Sequence, residues 1–144
     1  MGHKDFIPSM LAKYNYKIIF HRINMKPGRP TLFARKNSNF YFGLPGNPIS
    51  TIVGFHFLIM PLVLKLQNLS FQWKTGSLNN NQNKNKKMSL FLRGSTMNKK
   101  INILPGQDSY KISTLVKANC WVLLDQNKSL VKKGSNVKYI NYEN

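Results

Sequence analysis

The residues best suited to chemistry lie in two turns that are rich in glycine and proline. The first turn, KPGRP at 26–30, places the ammonium group of Lys26 and the guanidinium group of Arg29 on a backbone that two prolines restrict. Cations on a stiff turn lose less conformational entropy on meeting an oxyanion than cations on a mobile loop. Arg22, at the end of a predicted strand, can join them. We therefore predict a site for anionic oxygens here, and the simpler alternative is a solvated surface loop.

The second turn, GLPGNP at 43–48, follows a β-patterned run and precedes a long apolar helical pattern. Pro45 and Gly46 shape this turn, and Gly46 permits a close approach of the backbone. Asn47 is a predicted N-cap, and Pro48 suits the first helical position, where an N–H is not needed. We expect the helix N-terminus to present unpaired N–H groups and a positive dipole end to an anion. A purely structural turn is the alternative.

The elements that must position these turns form an α/β pattern over residues 1–68. The predicted elements are a helix that begins at Asp5 as N-cap and ends at Asn15, strands at 16–23, 30–34 and 40–42, and a helix from 48 to 66. The order of strand, loop and helix places the second turn at the carboxyl end of a strand, where open α/β sheets bind ligands. The long helix is apolar on nearly all sides, which predicts burial, and Pro61 within it predicts a kink or a break.

Residues 69–144 have a different sequence pattern, which predicts a small all-β domain. Short β-patterned runs alternate there with glycine and proline turns; the runs lie at 88–92, 101–104, 120–124 and 137–140. The run NNNQNKNKK at 79–87 is polar and of low complexity, and it cannot bury enough apolar surface to order itself. We interpret it as a solvated surface loop rather than a nucleic-acid-binding tail. The predicted fold class is α/β followed by a small all-β domain.

Composition limits the functions that the chain can perform. The net charge is +18, from 22 Lys and Arg against 4 Asp and Glu, which suggests an anionic partner. Compositional drift toward Lys, Asn and Ile explains much of this charge, so the charge alone is weak support for nucleic-acid binding. The few acids and the widely separated histidines argue against an acidic metal cage or a histidine cluster within the chain. The single cysteine, Cys120, excludes an internal disulfide, and we expect a cytoplasmic protein without a membrane span.

The two turns, in this order and at this distance, resemble the molybdopterin molybdenumtransferase family, which includes the C-terminal domain of gephyrin. KPGRP, a short strand pair, GLPGNP and the helix pattern SxxxxFxxFxxPLxxKL carry the similarity. It covers nearly all of the 144 residues but only the C-terminal part of a family member. The resemblance implies the C-terminal part of a molybdopterin-binding-like α/β sandwich at 1–68 and a β-barrel-like domain at 69–144.

The resemblance also implies an activity, which is the insertion of molybdenum from molybdate into adenylylated molybdopterin, with release of AMP and help from Mg²⁺. The implied catalytic residues are Arg22, Lys26 and Asp5, and the implied substrate-binding residues are Arg29, Pro45, Gly46, Asn47, Pro48, Arg93 and Ser109. Asp5 in GHKDF is similar to the acidic residue that ends the family's SVGxxD segment, and it is a possible metal ligand. Arg93 and Ser109 match positions that the family brings to the site across a dimer interface. Asp108 stands where the family usually has glycine, and its charge is expected to weaken anion binding.

The implied partners are the two substrates, a second copy of the chain or a separate N-terminal half, and the molybdopterin adenylyltransferase. Two other functions stay open. One is a catalytically inactive remnant that only folds or binds pterin. The other is a basic nucleic-acid-binding module, which the sequence favours less because the aromatic residues lie in apolar patterns and do not alternate with cations on one face.

Overall fold

The computed structural model describes residues 6–85 and 87–142. Its helices are α1 (Ile7–Lys13), α2 (Pro48–Gly54), α3 (Met60–Leu66) and α4 (Ser113–Lys117). Its strands are β1 (Lys17–His21), β2 (Met25–Lys26), β3 (Leu32–Lys36), β4 (Asn39–Gly43), β5 (Lys74–Leu78), β6 (Gln82–Asn83), β7 (Ser89–Met97), β8 (Lys100–Ile103), β9 (Cys120–Leu124), β10 (Leu130–Val131) and β11 (Asn136–Asn141).

The N-terminal elements form an antiparallel sheet in the order β1–β3–β4, covered on one face by α1. Leu11 of α1 packs in a small core with Leu32 and Ala34 of β3. The chain leaves α1 at Asn15, whose φ of 60° lies in the left-handed region that asparagine tolerates. The predicted N-cap Asp5 lies outside the described residues. The predicted helix and the three predicted strands are therefore present, with boundaries shifted by one to two residues.

The second turn and its helix confirm the predicted cap. Asn47 Oδ1 accepts hydrogen bonds from the backbone N–H of Ile49 at 3.1 Å and of Ser50 at 3.3 Å, and Pro48 occupies the first turn. The helix then widens into a π-helical turn over Phe55–Ile59 before α3 begins. Pro61 lacks the N–H that would bond one turn back, and its ring needs space there. The irregularity predicted from Pro61 thus lies immediately before the proline.

The prediction that this long helix is largely buried is wrong. Ile49 and Val53 are buried, but Phe55 is 45% exposed and Leu66 is 60% exposed. The 19-residue span Pro48–Leu66 is long and apolar enough to permit a membrane crossing by length and composition alone. A core helix passes the same test, and one side of this helix contacts the barrel described next.

Five strands close into a barrel in the order β7–β8–β5–β11–β9, with β9 pairing back to β7. Four of the pairings are antiparallel, and β5 pairs with β8 in parallel. The barrel interior is apolar, and its fully buried side chains include Leu78, Ile101, Val122 and Leu124. Gly76 is required where β5 passes β8, because a Cβ at this position would lie 2.6 Å from the carbonyl oxygen of Lys99.

Two features join the barrel to the N-terminal part. Strand β2 pairs in parallel with β7, where Met25 faces Ser89 and Lys26 faces Leu90. Phe57 of the π-helical turn stacks on Trp73 at 5.4 Å and packs against Phe91 at 4.3 Å between ring centroids. We call Phe57, Phe71, Trp73, Phe91 and Trp121 the aromatic junction. The first turn is therefore held directly against the barrel.

The low-complexity run, predicted to be a solvated surface loop that cannot order itself, lies at the surface, and its described part is ordered by hydrogen bonds to another segment. Strand β6 pairs with β10, and the N–H of Lys84 donates to the carbonyl of Ser129 at 2.8 Å. Asn81 Oδ1 accepts from the N–H of Lys133 at 2.8 Å. These hydrogen bonds join the run to residues 129–133 and do not require the run to bury apolar side chains.

Candidate anion-binding site

A cleft of about 680 Å³ opens between the first turn and the barrel. Its walls come from both parts of the chain, so neither part forms the cleft alone. The lining residues are those of the turn at 26–30 with Met25, Ser50 of α2, residues 82–85 of the low-complexity run, Met88, residues 90–92 of β7 and residues 107–109.

The first turn is rigid because its backbone is hydrogen-bonded on both sides. Thr31 donates to the carbonyl of Gly28 through its N–H at 3.0 Å and through its hydroxyl at 2.7 Å. The N–H of Ile23 donates to the carbonyl of Arg29 at 2.9 Å. Gly28 has φ of 102°, and a Cβ there would lie 2.8 Å from Met25 Cε. The turn thus depends on glycine at this position.

Lys26 and Arg29 project from this rigid turn as exposed side chains that line the cleft. Within the described residues, one salt bridge is found, between Lys111 and Asp108. Neither Lys26 nor Arg29 therefore forms a salt bridge with a described carboxylate. Two cations that extend from a hydrogen-bonded turn and form no salt bridge with the described residues are suited to anionic oxygens.

Arg22 is close to the turn in sequence but does not line the cleft. It has φ of 72°, and its N–H donates to the carbonyl of Thr31 at 2.9 Å. Its side chain is exposed at the end of β1. The structure therefore unites Lys26 and Arg29 in the cleft and places Arg22 beside it. Asp5 lies outside the described residues.

The second turn does not present its polar groups to the cleft. The N–H groups of Ile49 and Ser50 are taken by Asn47 Oδ1, and the hydroxyl of Thr51 donates to the carbonyl of Pro45 at 2.6 Å. The expectation of unpaired N–H groups is therefore wrong for these two amides, because the cap satisfies them. The four residues predicted to bind substrate, Pro45, Gly46, Asn47 and Pro48, lie outside the cleft lining.

The first turn lies close to the helix that follows the second turn. A Cβ at Gly28 would lie 3.7 Å from the carbonyl oxygen of Ser50, and Ser50 is 6% exposed. Ser50 is the residue of α2 that lines the cleft. The second turn thus acts as a support, since its cap fixes the helix that carries Ser50.

Asp108 and Ser109 also line the cleft, from the loop between β8 and α4. Asp108 forms a salt bridge of 3.1 Å with Lys111. The hydrogen bond from Lys111 is the main cause that holds the pKa of Asp108 below its ordinary value, and the charge of Lys26 contributes. The negative charge that was expected to weaken anion binding is therefore partly compensated on its own loop.

Arg93 lies behind this loop and not in the cleft lining. Its side chain is 1% exposed, and its guanidinium group donates to the carbonyls of Gly106, Asp108 and Lys111 at 3.0 to 3.1 Å. Burial lowers the pKa of Arg93 from its ordinary value. In this structure Arg93 therefore contacts the loop that carries Ser109.

Residues 82–85 line the cleft although they are not among the predicted site residues. Lys84 is half-buried, and its ammonium group donates to the carbonyls of Asn85 and Lys128 at 3.1 Å. Burial lowers the pKa of Lys84, and the charge of Asp125 raises it to a smaller degree. No signal within the run predicts this placement, because it depends on pairing with β10 from a distant part of the chain.

Each of the two parts of the chain matches a known protein family. Residues 1–65 match the model of a probable molybdopterin binding domain, and residues 75–142 match the model of the MoeA C-terminal region, domain IV. The molybdopterin molybdenumtransferase of Haemophilus influenzae is 33% identical over 147 residues, which cover 95% of this chain and 36% of that protein. That of Synechococcus elongatus is 29% identical over 141 residues, which cover 96% of this chain and 35% of that protein.

The fold is also found in a solved structure. A molybdenum cofactor biosynthesis protein from Pyrococcus furiosus superposes with a TM-score of 0.76 at 20% identity, over 96% of this chain and 55% of that chain. Together these matches define part of a molybdopterin-binding domain followed by a MoeA-type β-barrel domain, which confirms the predicted fold class. The chain belongs to the molybdopterin molybdenumtransferase family. It spans about a third of the length of the two transferases described above.

Proposed function

We propose that this chain takes part in molybdenum cofactor biosynthesis, and that its cleft binds the anionic oxygens of molybdate and of adenylylated molybdopterin. The observation that carries this proposal is the pair Lys26 and Arg29, which project from a rigid turn into the cleft without a carboxylate partner in the described part of the chain. Family membership supports the choice of these anions over others.

The proposed mechanism assigns binding and orientation to this chain. Lys26 and Arg29 neutralise the oxygens of molybdate and of the pterin's phosphate, which lowers the electrostatic cost of bringing molybdate close to the dithiolene sulfurs. Ser109, which also lines the cleft, offers a hydroxyl group. Arg22, at the end of β1, adds positive charge beside the cleft, and the second turn supports the helix that carries Ser50.

The residues described here do not fit a site for Mg²⁺. Within them no group of three or more His, Cys, Asp or Glu side chains could hold a metal ion. Asp108, the acid in the cleft lining, is paired with Lys111. We assign no step to Mg²⁺ in this chain.

The remaining walls of an active site must come from outside the described residues if the chain acts as its relatives do. We propose that they belong to a second copy of the chain or to a separate N-terminal half. A cytoplasmic location and transfer of adenylylated molybdopterin from the adenylyltransferase are part of the same proposal.

Complementation tests the proposal directly. The chain is expressed in cells that lack the transferase, alone and together with a separately encoded N-terminal half from a family member, and a molybdoenzyme activity is measured. We expect rescue by at least one combination, loss of rescue with Lys26→Ala, and full rescue with the control Lys138→Ala, since Lys138 lies on β11 outside the cleft lining. Pterin or molybdate binding without any rescue would indicate a non-catalytic remnant.

A further inference from the structure

The loop at 104–112 brings Asp108 and Ser109 to the cleft, yet it has little apolar anchoring of its own. Tyr110 is 71% exposed and Ile112 is 51% exposed. Most of the loop has no regular secondary structure between β8 and α4. Its position must therefore depend on specific hydrogen bonds.

Arg93 supplies three of these bonds from the barrel. Its Nη1 donates to the carbonyl of Lys111 at 3.1 Å, and its Nη2 donates to the carbonyls of Gly106 at 3.0 Å and Asp108 at 3.1 Å. A planar guanidinium group holds its donors on separate nitrogens in a fixed fork and can reach three carbonyls here, whereas an ammonium group carries its three donors on one nitrogen and cannot span the same acceptors. The three acceptors lie on both sides of Ser109, so one side chain spans the loop segment that faces the cleft.

Gln107 ties the same loop to the backbone of Arg93. Its Oε1 accepts from the N–H of Arg93 at 2.9 Å, and its Nε2 donates to the carbonyls of Arg93 at 2.8 Å and Leu104 at 2.7 Å. Thr114 at the start of α4 donates its hydroxyl to the carbonyl of Gly106 at 3.0 Å. The side-chain amide of Gln107 is thus fully used within the chain, although residue 107 borders the cleft.

We propose that Arg93 is a positioning residue, which together with Gln107 clamps the loop so that Ser109 is held in the lining of the cleft that Lys26 and Arg29 also line. Resemblance to the family implies that Arg93 contacts substrate; a side chain that is 1% exposed and committed to three carbonyls acts instead through the loop. The effect on ligand affinity rests on the proposed function, whereas the effect on loop order does not.

Two variants remove the clamp with little change in volume or charge. Arg93→Lys keeps a positive charge but loses the fork, and Gln107→Met keeps the size of the side chain but loses its donors and its acceptor. Arg35→Lys is the matched control, since Arg35 is exposed on the N-terminal sheet outside the cleft lining; its guanidinium group donates to the carbonyl of Asn37 and lies over the ring of Phe40.

Two measurements on the full chain test the proposal, namely amide hydrogen exchange over residues 104–112 and calorimetric titration with inorganic molybdate. We expect exchange in the loop to become about tenfold faster in Arg93→Lys and in Gln107→Met, and molybdate affinity to fall about fivefold. Arg35→Lys should change neither. In a double-mutant cycle, the affinity losses of Arg93→Lys and Ser109→Ala should be non-additive, because both act through the same loop hydroxyl.

Unchanged loop exchange in Arg93→Lys would overturn the proposal, as would a loss of molybdate affinity with the loop still protected, which would show direct contact with the ligand. If Arg93→Lys does not fold, Gln107→Met and Thr114→Val decide the question by the same exchange measurement. If the unmodified chain binds no molybdate, the proposed function fails, and loop exchange alone still confirms or overturns the clamp.

Discussion

The two glycine- and proline-rich turns have similar compositions but different roles in the structure. The first turn, at 26–30, satisfies its backbone with hydrogen bonds and leaves the side chains of Lys26 and Arg29 free to face the cleft. The second, at 43–48, uses the side chain of Asn47 to cap α2. A turn that resembles an anion site can therefore have a structural role, when its own side chain accepts hydrogen bonds from the N–H groups at the start of the helix. The predictions below test this difference.

The largest effect is expected at the aromatic junction, which joins the helix of the second turn to the barrel. Phe57→Ala removes a ring that stacks on Trp73 and packs against Phe91, and it should lower the free energy of unfolding by about 3 kcal/mol. Phe55→Ala is the control, because Phe55 is exposed on the same helix. Chemical denaturation measures both. Equal losses in the two variants would contradict the assigned role of the junction.

Lys26→Ala should weaken binding and leave folding intact. The side chain is exposed and forms no salt bridge with the described residues, so the melting temperature should stay nearly constant. Molybdate affinity, measured by calorimetry, should fall about tenfold, which corresponds to ~1.4 kcal/mol. Lys138→Ala has the same charge change outside the cleft and should bind normally. A similar loss in both variants would show that net charge, not the first turn, governs binding.

Asn47→Ala should reduce stability and leave molybdate binding intact, the reverse of the result expected for Lys26→Ala. Loss of the cap should lower the free energy of unfolding by about 1 kcal/mol, because the N–H groups of Ile49 and Ser50 lose their acceptor. Molybdate affinity should change little. Asn47→Asp is a matched control that keeps an acceptor oxygen and should retain most of the stability. A tenfold loss of molybdate affinity with unchanged stability in Asn47→Ala would make the second turn part of the binding site.

The smallest effect is expected at the exposed salt bridge on the cleft wall. The pKa of Asp108 is lowered in the folded state, chiefly by Lys111, so the pair stabilises the fold above the ordinary Asp value of 3.8 and loses this effect as the pH falls below it. Salt should screen the contribution. Thermal melts of the unmodified chain and of Asp108→Asn, compared at pH values above and below 3.8, measure the contribution of this salt bridge to stability. A difference that grows on acidification would contradict the sign.

Local chemistry was predictable where it depends on neighbours in the chain. Asn47 and Pro48 predicted the start of α2, and Pro61 predicted the irregularity that the structure shows as a π-helical turn. The predicted family and fold class are confirmed. The division into domains at 68/69 stays a prediction, and β2 crosses that boundary by pairing with β7 of the barrel.

Contacts between distant segments were not predictable in the same way. The helix after the second turn was predicted to be buried because it is apolar all round, but burial depends on which elements lie beside it. The run at 79–87 was predicted to be unordered from its polarity, and its described part is ordered by backbone pairing with β10. Neither outcome is encoded in a local pattern.

By itself, the sequence determined the two turns, the cap, the cations and the family, because these depend on residue type and close spacing. Only the tertiary structure decided which turn faces the cleft, that residues 82–85 form its second wall, and that Arg93 is directed to the carbonyls of a loop up to 18 residues away. The physical reason is that a polar side chain is available to a ligand only if it is not needed to hydrogen-bond the backbone, and those backbone contacts are formed in the folded chain. At the first turn the backbone satisfies itself and leaves its cations available; at the second, the side chain of Asn47 is used for capping.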